Sequence, residues 1–136
     1  MAFWSGWLAA ISIALAALIP LVQRVATGKR ARLDSRATRT HVLVGFATVS
    51  LAFLHTLLML TSLGTSSAVE GGMAALAPGG FAFFLLAAHA GIGLQLRRER
   101  LRDRPTKRRM HLATGLAILV AVTAHIVLLE RAAPGK

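Results

Sequence analysis

The feature that most constrains this chain is a set of four long uncharged apolar stretches, at residues 1–23, 42–68, 71–96 and 112–129. Each has at least 18 residues, and a helix of about 20 apolar residues crosses a hydrocarbon core about 30 Å thick. A soluble domain of 136 residues needs more polar surface than a chain with 55% hydrophobic residues offers. The sequence therefore predicts an all-α membrane protein with a single membrane domain over residues 1–136. Its four expected helices lie near residues 2–23, 40–64, 76–98 and 109–131.

The distribution of charge predicts the topology. Of the 16 Lys and Arg residues, six lie within residues 24–39 and eight within residues 97–109. By the positive-inside rule, the basic loops 24–40 and 97–110 are expected in the cytoplasm, with both termini and the 64–80 loop outside. Such clusters also favour anionic lipid headgroups, and their confinement to two loops argues against binding to nucleic acid. We expect a multi-pass protein of the inner (cytoplasmic) membrane, with the second and fourth helices parallel.

An internal repeat emerges when the chain is shifted by 70 residues. The superposed pairs are Arg39 with Arg109, His41 with His111, Gly45 with Gly115, Ala47 with Ala117, and His55 with His125. Two histidines, an arginine and a glycine in one register are hard to attribute to chance. We interpret the chain as a duplicated helical hairpin that forms a four-transmembrane-helix bundle, with a pseudo-twofold axis along the membrane normal.

The four repeated histidines are candidate metal ligands. His41 and His55 are 14 residues apart, so they share one face of the second helix about 21 Å apart, as do His111 and His125 on the fourth. Because these helices run parallel, we expect His41 to meet His111 near the cytoplasmic side, and His55 to meet His125 nearer the outside. Two opposed neutral imidazoles suit a flat macrocycle whose iron takes both axial positions. The chain has no cysteine to tether it, so the prediction is two haem b groups per chain.

Residues next to the inner histidines have two interpretations each. Gly45 and Gly115, one turn from the inner ligands, leave room for haem edges or allow close helix packing. Arg39 and Arg109, two residues before the inner ligands, pair with haem propionates or anchor the helices at the membrane surface. For the second ring nitrogen of each ligand, the common acceptor is a backbone carbonyl one turn back.

Two residues of the odd-numbered helices stand out. Pro20 removes one helical N–H from the first helix, and we expect a neighbour to satisfy the carbonyl that it frees. His89 lies on the third helix between the two haem levels, and its repeat counterpart is Ile19. We expect His89 to be a buried hydrogen-bonding residue; contact with a proton path or a quinone, and ligation, are the alternatives.

In helix order, ligand helices and ligand spacing, nearly the whole chain resembles the four-helix di-haem core of the cytochrome b family. That core ligates its haems with two histidines on the second helix and two on the fourth. The resemblance implies bis-histidine haem b at His41/His111 and at His55/His125. The later helices that help to build the family's outer quinol site have no counterpart here, and no Pro-Glu-Trp-Tyr-like motif is present. Quinol oxidation coupled to a Rieske partner is therefore not implied, and small b561-type cytochromes are similar in expected role.

The predicted function is electron transfer across the membrane, between a quinol or other donor and a redox partner protein on the opposite side. The chain would then be an electron-transfer protein or part of a quinol-linked oxidoreductase. Two alternatives remain: a haem-free, His-lined transporter of protons or metal ions, and a membrane anchor subunit of a redox complex. The apolar stretches contain no acidic residue, although proton and cation relays usually combine His with Asp or Glu.

Overall fold

The structure of the chain, a computed structural model, describes residues 2–61 and 72–132. Most of these residues lie in four helices: α1 (Ala2–Thr27), α2 (Arg36–Leu60), α3 (Gly72–Leu96) and α4 (Arg104–Ala132). All four are long and apolar enough to cross a membrane. The chain is therefore an all-α, multi-pass membrane protein, and the fold predicted from its sequence is confirmed.

Two helices begin earlier than the apolar stretches indicate. α2 begins at Arg36 instead of near residue 40, because the hydroxyl oxygen of Ser35 accepts the backbone N–H of Thr38 at 3.2 Å and caps the helix. α4 begins at Arg104 instead of near residue 109, with the carbonyl of Asp103 accepting a helical hydrogen bond at 3.1 Å. Both added turns are basic, so hydropathy does not detect them.

The ends of α1 and α3 also differ from expectation. α1 continues to Thr27 and stops at Gly28, which has a φ of 64° and donates its N–H to the carbonyl of Arg24 at 2.9 Å. α3 begins at Gly72, so residues 72–80 are helical and were wrongly assigned to the 64–80 loop. A lipid environment favours this outcome, since backbone groups there must bond within the segment even when it is rich in Gly and Ala. The rest of that loop lies outside the described residues.

Arg104 joins the second pair of helices at their basic end. Its guanidinium donates to the carbonyl oxygen of Leu96, the last residue of α3, at 3.2 Å. It also donates to the carbonyls of Arg98 and Glu99 in the connection. Carbonyls at a helix C-terminus lack helical donors, so one arginine at the start of α4 satisfies one acceptor at the end of α3 and two in the connection that follows it.

The helices pack as two hairpins. α1 lies against α2, and α3 lies against α4, whereas the two hairpins meet mainly through α2 with α3 and less through α1 with α4. α2 and α4 are therefore diagonal neighbours across the middle of the bundle. This arrangement agrees with a duplicated hairpin and sets the two histidine-bearing helices opposite each other.

The core of the bundle is thin. Between 6% and 22% of each apolar segment is buried, so most large apolar side chains face outward, where lipid replaces water. The buried residues are mostly small, which lets neighbouring backbones approach closely. They are Ala9, Ser12, Thr48, Ala75, Ala82, Leu86, Ile92, Ile118 and Ala121.

Candidate functional site

The inner histidines face each other across the bundle. The rings of His41 on α2 and His111 on α4 have centroids 6.1 Å apart, and their planes are nearly perpendicular, at 88°. Both rings are only partly exposed. The structure therefore brings together the inner pair that the repeat predicts.

The ring of His41 is oriented by a carbonyl that a proline makes available. Nδ1 of His41 donates to the backbone oxygen of Ala16 on α1 at 2.9 Å. In a regular helix that oxygen would accept the N–H of residue 20, but residue 20 is Pro20, which has none. A neighbouring helix therefore satisfies the freed carbonyl, as the sequence predicts.

The outer histidines are held in the same manner by the first helix of their own hairpin. Nδ1 of His55 lies 3.0 Å from the hydroxyl oxygen of Ser5 on α1. Nδ1 of His125 donates to the backbone oxygen of Ala75 on α3 at 2.8 Å. Ser5 and Ala75 are themselves 70 residues apart, so the hydrogen-bond partners follow the same repeat as the histidines. This correspondence supports a duplicated hairpin independently of the histidine spacing.

The expected acceptor, a carbonyl one turn back in the same helix, is wrong for these rings. His41 and His125 both reach a carbonyl of the preceding helix, and His55 reaches a hydroxyl there. The first helix of each hairpin packs directly against the second, so its backbone and hydroxyl oxygens lie within reach of the histidine rings. The consequence is that α1 and α3 set the orientation of three of the four predicted ligands, His41, His55 and His125.

His111 is oriented differently. Its Nδ1 atom is buried and has no hydrogen-bond partner within the described part of the chain. Its ring instead stacks on the ring of His89, with centroids 3.7 Å apart and planes 16° apart. Nδ1 of His89 lies 2.8 Å from the hydroxyl of Thr114, which donates to the backbone oxygen of His111 at 3.1 Å. His89 is thus a hydrogen-bonding residue, as expected, but it is only half-buried, and its ring lies against the inner pair instead of between the two predicted haem levels.

Glycines lie against four of the five imidazoles. A Cβ on Gly79 would lie 2.8 Å from the ring of His125, and a Cβ on Gly6 would lie 3.1 Å from the ring of His55. The corresponding distance is 3.2 Å for Gly93 with His111 and for Gly115 with His89. Because both distances at the outer level leave little room for a side chain, Gly79 and Gly6 allow the outer histidines to approach the helix beside them.

The two predicted glycine positions have different surroundings. Gly115 gives room to the ring of His89, whereas no described atom outside its own helix turn and chain neighbours lies within 4 Å of a Cβ built on Gly45. Arg39 and Arg109 lie near the starts of α2 and α4 with exposed side chains. Contacts of these four residues with a haem stay a prediction.

Sequence reasoning missed the residues that orient the rings. Ser5, Ala16, Ala75 and Thr114 carry no motif, and two of them contribute only a backbone carbonyl. A signal was present for Ala16, since Pro20 four residues later marks a carbonyl without a helical donor. For the other residues only the folded hairpin shows the pattern. The bonded residues are 50 positions apart for His55 and His125, and 25 positions apart for His41 and His89.

No family model matches this chain, no curated protein matches its sequence, and no solved structure matches its fold.

Proposed function

We propose that this chain is a transmembrane b-type cytochrome that holds two haems between α2 and α4 and carries electrons from one side of the membrane to the other. The observation that carries the proposal is the inner pair, His41 and His111, whose ring centroids are 6.1 Å apart on diagonal helices. Two imidazoles that bind one metal ion through Nε2, each at about 2 Å, have ring centroids roughly 6 Å apart. The observed separation therefore suits one ion shared by the two rings.

The hydrogen bonds at Nδ1 support a ligand role for the rings. A carbonyl oxygen can only accept, so His41 and His125 carry their proton on Nδ1 and present an unprotonated Nε2. Histidines that bind metals commonly donate from the other ring nitrogen in this way. Ser5 offers His55 an oxygen that can accept the same bond. In all three cases Nδ1 bonds to a residue of the preceding helix.

A haem suits these residues better than a bare metal ion. Within residues 2–61 and 72–132, no three His, Cys, Asp or Glu side chains are grouped to hold an ion. No described atom outside its own helix turn and chain neighbours lies within 4 Å of a Cβ built on Gly45, so this face of α2 leaves room for a larger group. When bound, a bis-histidine haem supplies a one-electron couple with no open iron position, which favours electron transfer over oxygen activation.

Charged residues at the basic end would complete the inner site. Arg39 and Arg109 follow the two helix starts and precede His41 and His111 by two residues. Their guanidinium groups would hold the propionates of the inner haem by charge-assisted hydrogen bonds. The positive-inside rule places this end in the cytoplasm and both termini in the periplasm, in a bacterial inner membrane.

The partners of such a protein are membrane lipids, an electron donor and an acceptor on opposite sides. Lipid contact follows from the outward-facing apolar side chains, such as Leu43 and Phe84, which are 71% and 72% exposed. An apolar cavity of about 230 Å³ between α2 and α3 is bordered by Ser50 and by Phe53 and Phe83, whose rings stack at 6.5 Å. Its lining would suit the ring of a quinol, which makes a quinol-linked oxidoreductase, or a subunit of one, part of this proposal.

The proposal is tested by a spectrum. Purified chain made with ample haem should show a reducible b-type spectrum with two haems per chain, both extractable by acid acetone because no cysteine tethers them. A colourless protein would instead favour a transporter or a membrane anchor subunit. A single haem per chain would contradict the outer site. The structure gives a hydrogen bond for each outer ring, whereas the ring separation that supports a shared ion is that of the inner pair.

A further inference from the structure

The two inner histidines occupy equivalent repeat positions but are not held alike. Ala16, which accepts the bond from His41, has Leu86 as its counterpart 70 residues later, and Pro20 has Ala90. In helix α3 the N–H of Ala90 is available to the carbonyl of Leu86. The second hairpin therefore lacks a freed carbonyl at this position, and within the described residues Nδ1 of His111 has no hydrogen-bond partner.

The second hairpin carries a different residue at the neighbouring position. The first has Ile19-Pro20 where the second has His89-Ala90. The ring of His89 covers one face of the His111 ring at 3.7 Å, and Gly115 leaves room for it. The second hairpin thus has no proline in this dipeptide, but it has an imidazole that contacts His111, the counterpart of His41.

His89 is itself held in a defined orientation. The hydroxyl of Thr114 donates its only proton to the carbonyl of His111 at 3.1 Å, so it accepts from His89 and places the proton of that ring on Nδ1. The His89 ring, the Thr114 hydroxyl and the His111 backbone form a closed path on one face of α4. A ring held at both its edge and its face resists rotation, and so does the ring stacked on it.

We propose that His89 is a positioning residue for the ligand His111, and that ring stacking does for His111 what the carbonyl freed by Pro20 does for His41. This inference rests on the proposed function, since it assigns His111 to the inner haem. The structural part, the stacking that orients His111, does not need a haem and can be measured without one.

The decisive variants change the His89-Ala90 dipeptide of the second hairpin. In the full chain in nanodiscs, His89→Ala and His89→Ile should lower the affinity of the inner site for haem about tenfold or more, the range for losing a group that orients a metal ligand. His89→Phe keeps a stacking ring without a hydrogen-bonding edge and should retain most of the affinity. The double variant His89→Ile with Ala90→Pro copies the first hairpin into the second and should recover what His89→Ile loses, because it frees the Leu86 carbonyl.

Internal controls make the measurement specific. The outer haem of the same molecule should keep its affinity and spectrum in all these variants, which also checks that they fold. Ile19→Ala, at the equivalent position of the first hairpin, should leave the inner haem unchanged. The low-spin electron paramagnetic resonance signal of the inner haem, which depends on the relative orientation of its two imidazoles, should shift in His89→Ala and stay in place in His89→Phe.

A second readout separates this inference from the proposed function. In haem-free protein, the ring protons of His111 should show the upfield nuclear magnetic resonance shift of a stacked ring. The shift should vanish in His89→Ala and persist in His89→Phe. If His89→Phe behaved like His89→Ala in both measurements, the edge of His89 and not its face would matter, and the inference would be wrong. If the stacking effects appeared but no haem bound, only the assignment of His111 as a haem ligand would fail.

Discussion

His41 donates its Nδ1 proton to the backbone carbonyl of Ala16, 2.9 Å away, and this carbonyl is the one that Pro20 leaves without a helical donor. A proline in the first helix thus frees the acceptor that orients a predicted haem ligand on the second. His41 and Ala16 are 25 residues apart in the sequence and share no motif.

Restoring the missing donor should weaken the inner site. In Pro20→Ala the new N–H competes with His41 for the Ala16 carbonyl, so we expect the inner haem to bind up to about tenfold more weakly. The fold should not be destabilised, because proline costs about 3 kcal/mol relative to alanine inside an isolated helix. Haem titration measures the affinity of the inner site, and thermal unfolding measures the stability of the fold. Pro78→Ala in α3, which faces no inner ligand by repeat register, is the matched control and should leave the inner affinity unchanged.

Gly79 should be sensitive to the smallest side chain. A Cβ there would lie 2.8 Å from the ring of His125, whereas a Cβ on the adjacent Gly80 meets no described atom within 4 Å. Gly79→Ala should therefore cost about 1–3 kcal/mol through overpacking and displace the outer ligand, while Gly80→Ala should be neutral or slightly stabilising. Unfolding by denaturant and the outer haem spectrum measure the two effects. Equal behaviour of the two variants would contradict the contact.

The ligand pairs can be separated by single substitutions. His55→Ala and His125→Ala should each abolish the same outer haem and leave the inner one, because parallel helices place both histidines at one depth. His41→Ala and His111→Ala should do the reverse. Redox titration of each variant resolves which haem remains. With haem in excess, His89→Ala should keep both, and the loss of a haem there as complete as in His55→Ala would overturn the pairing.

The topology can be mapped with unique cysteines, because the chain has none of its own. Lys29→Cys and Arg100→Cys, both at exposed positions in the basic connections, should be protected from a membrane-impermeant maleimide in intact cells. Lys136→Cys should react, since the positive-inside rule places the C-terminus outside. Labelling at residue 29 or 100 without permeabilisation would reverse the orientation and exchange the sides of the two haems, though not the ligand pairs.

Electron transfer across the membrane should respond to the membrane potential. The ligand levels are about 21 Å apart along the helix, and with a tilt of about 20° roughly 20 Å of this lies along the membrane normal. One charge crossing the whole membrane is worth about 2.3 kcal/mol per 100 mV, so a step over about two-thirds of the core feels about 1.5 kcal/mol. That corresponds to about a tenfold change in how one electron divides between the haems.

In proteoliposomes with uniformly oriented protein poised at partial reduction, an imposed diffusion potential should move electrons between two resolvable haems. Reversing the sign of the potential should reverse the movement. Two bound, spectrally distinct haems whose occupancy ignored the potential would have to lie at similar depth, and the protein would then not conduct across the membrane.

Sequence alone determined the four spans, because the free energy of placing a segment in lipid depends mainly on its own composition. It also determined that His41 meets His111, since a 70-residue repeat with parallel second and fourth helices leaves little choice of depth. It predicted that the carbonyl freed by Pro20 would find a neighbour, because a lipid core offers no water as a substitute donor.

Only the tertiary structure decided which neighbour each ring meets. These contacts depend on how each helix is rotated about its axis within its hairpin. They are the hydrogen bonds of His55 with Ser5 and of His125 with Ala75, and the stacking of His89 on His111. Where the contacting residues are small, that rotation is set by the sum of many weak contacts between two helices. It therefore cannot be predicted from the sequence of either helix alone. The repeat therefore predicted that His41 and His111 face each other, whereas the packing of α1 on α2 and of α3 on α4 decided what holds the imidazoles in place.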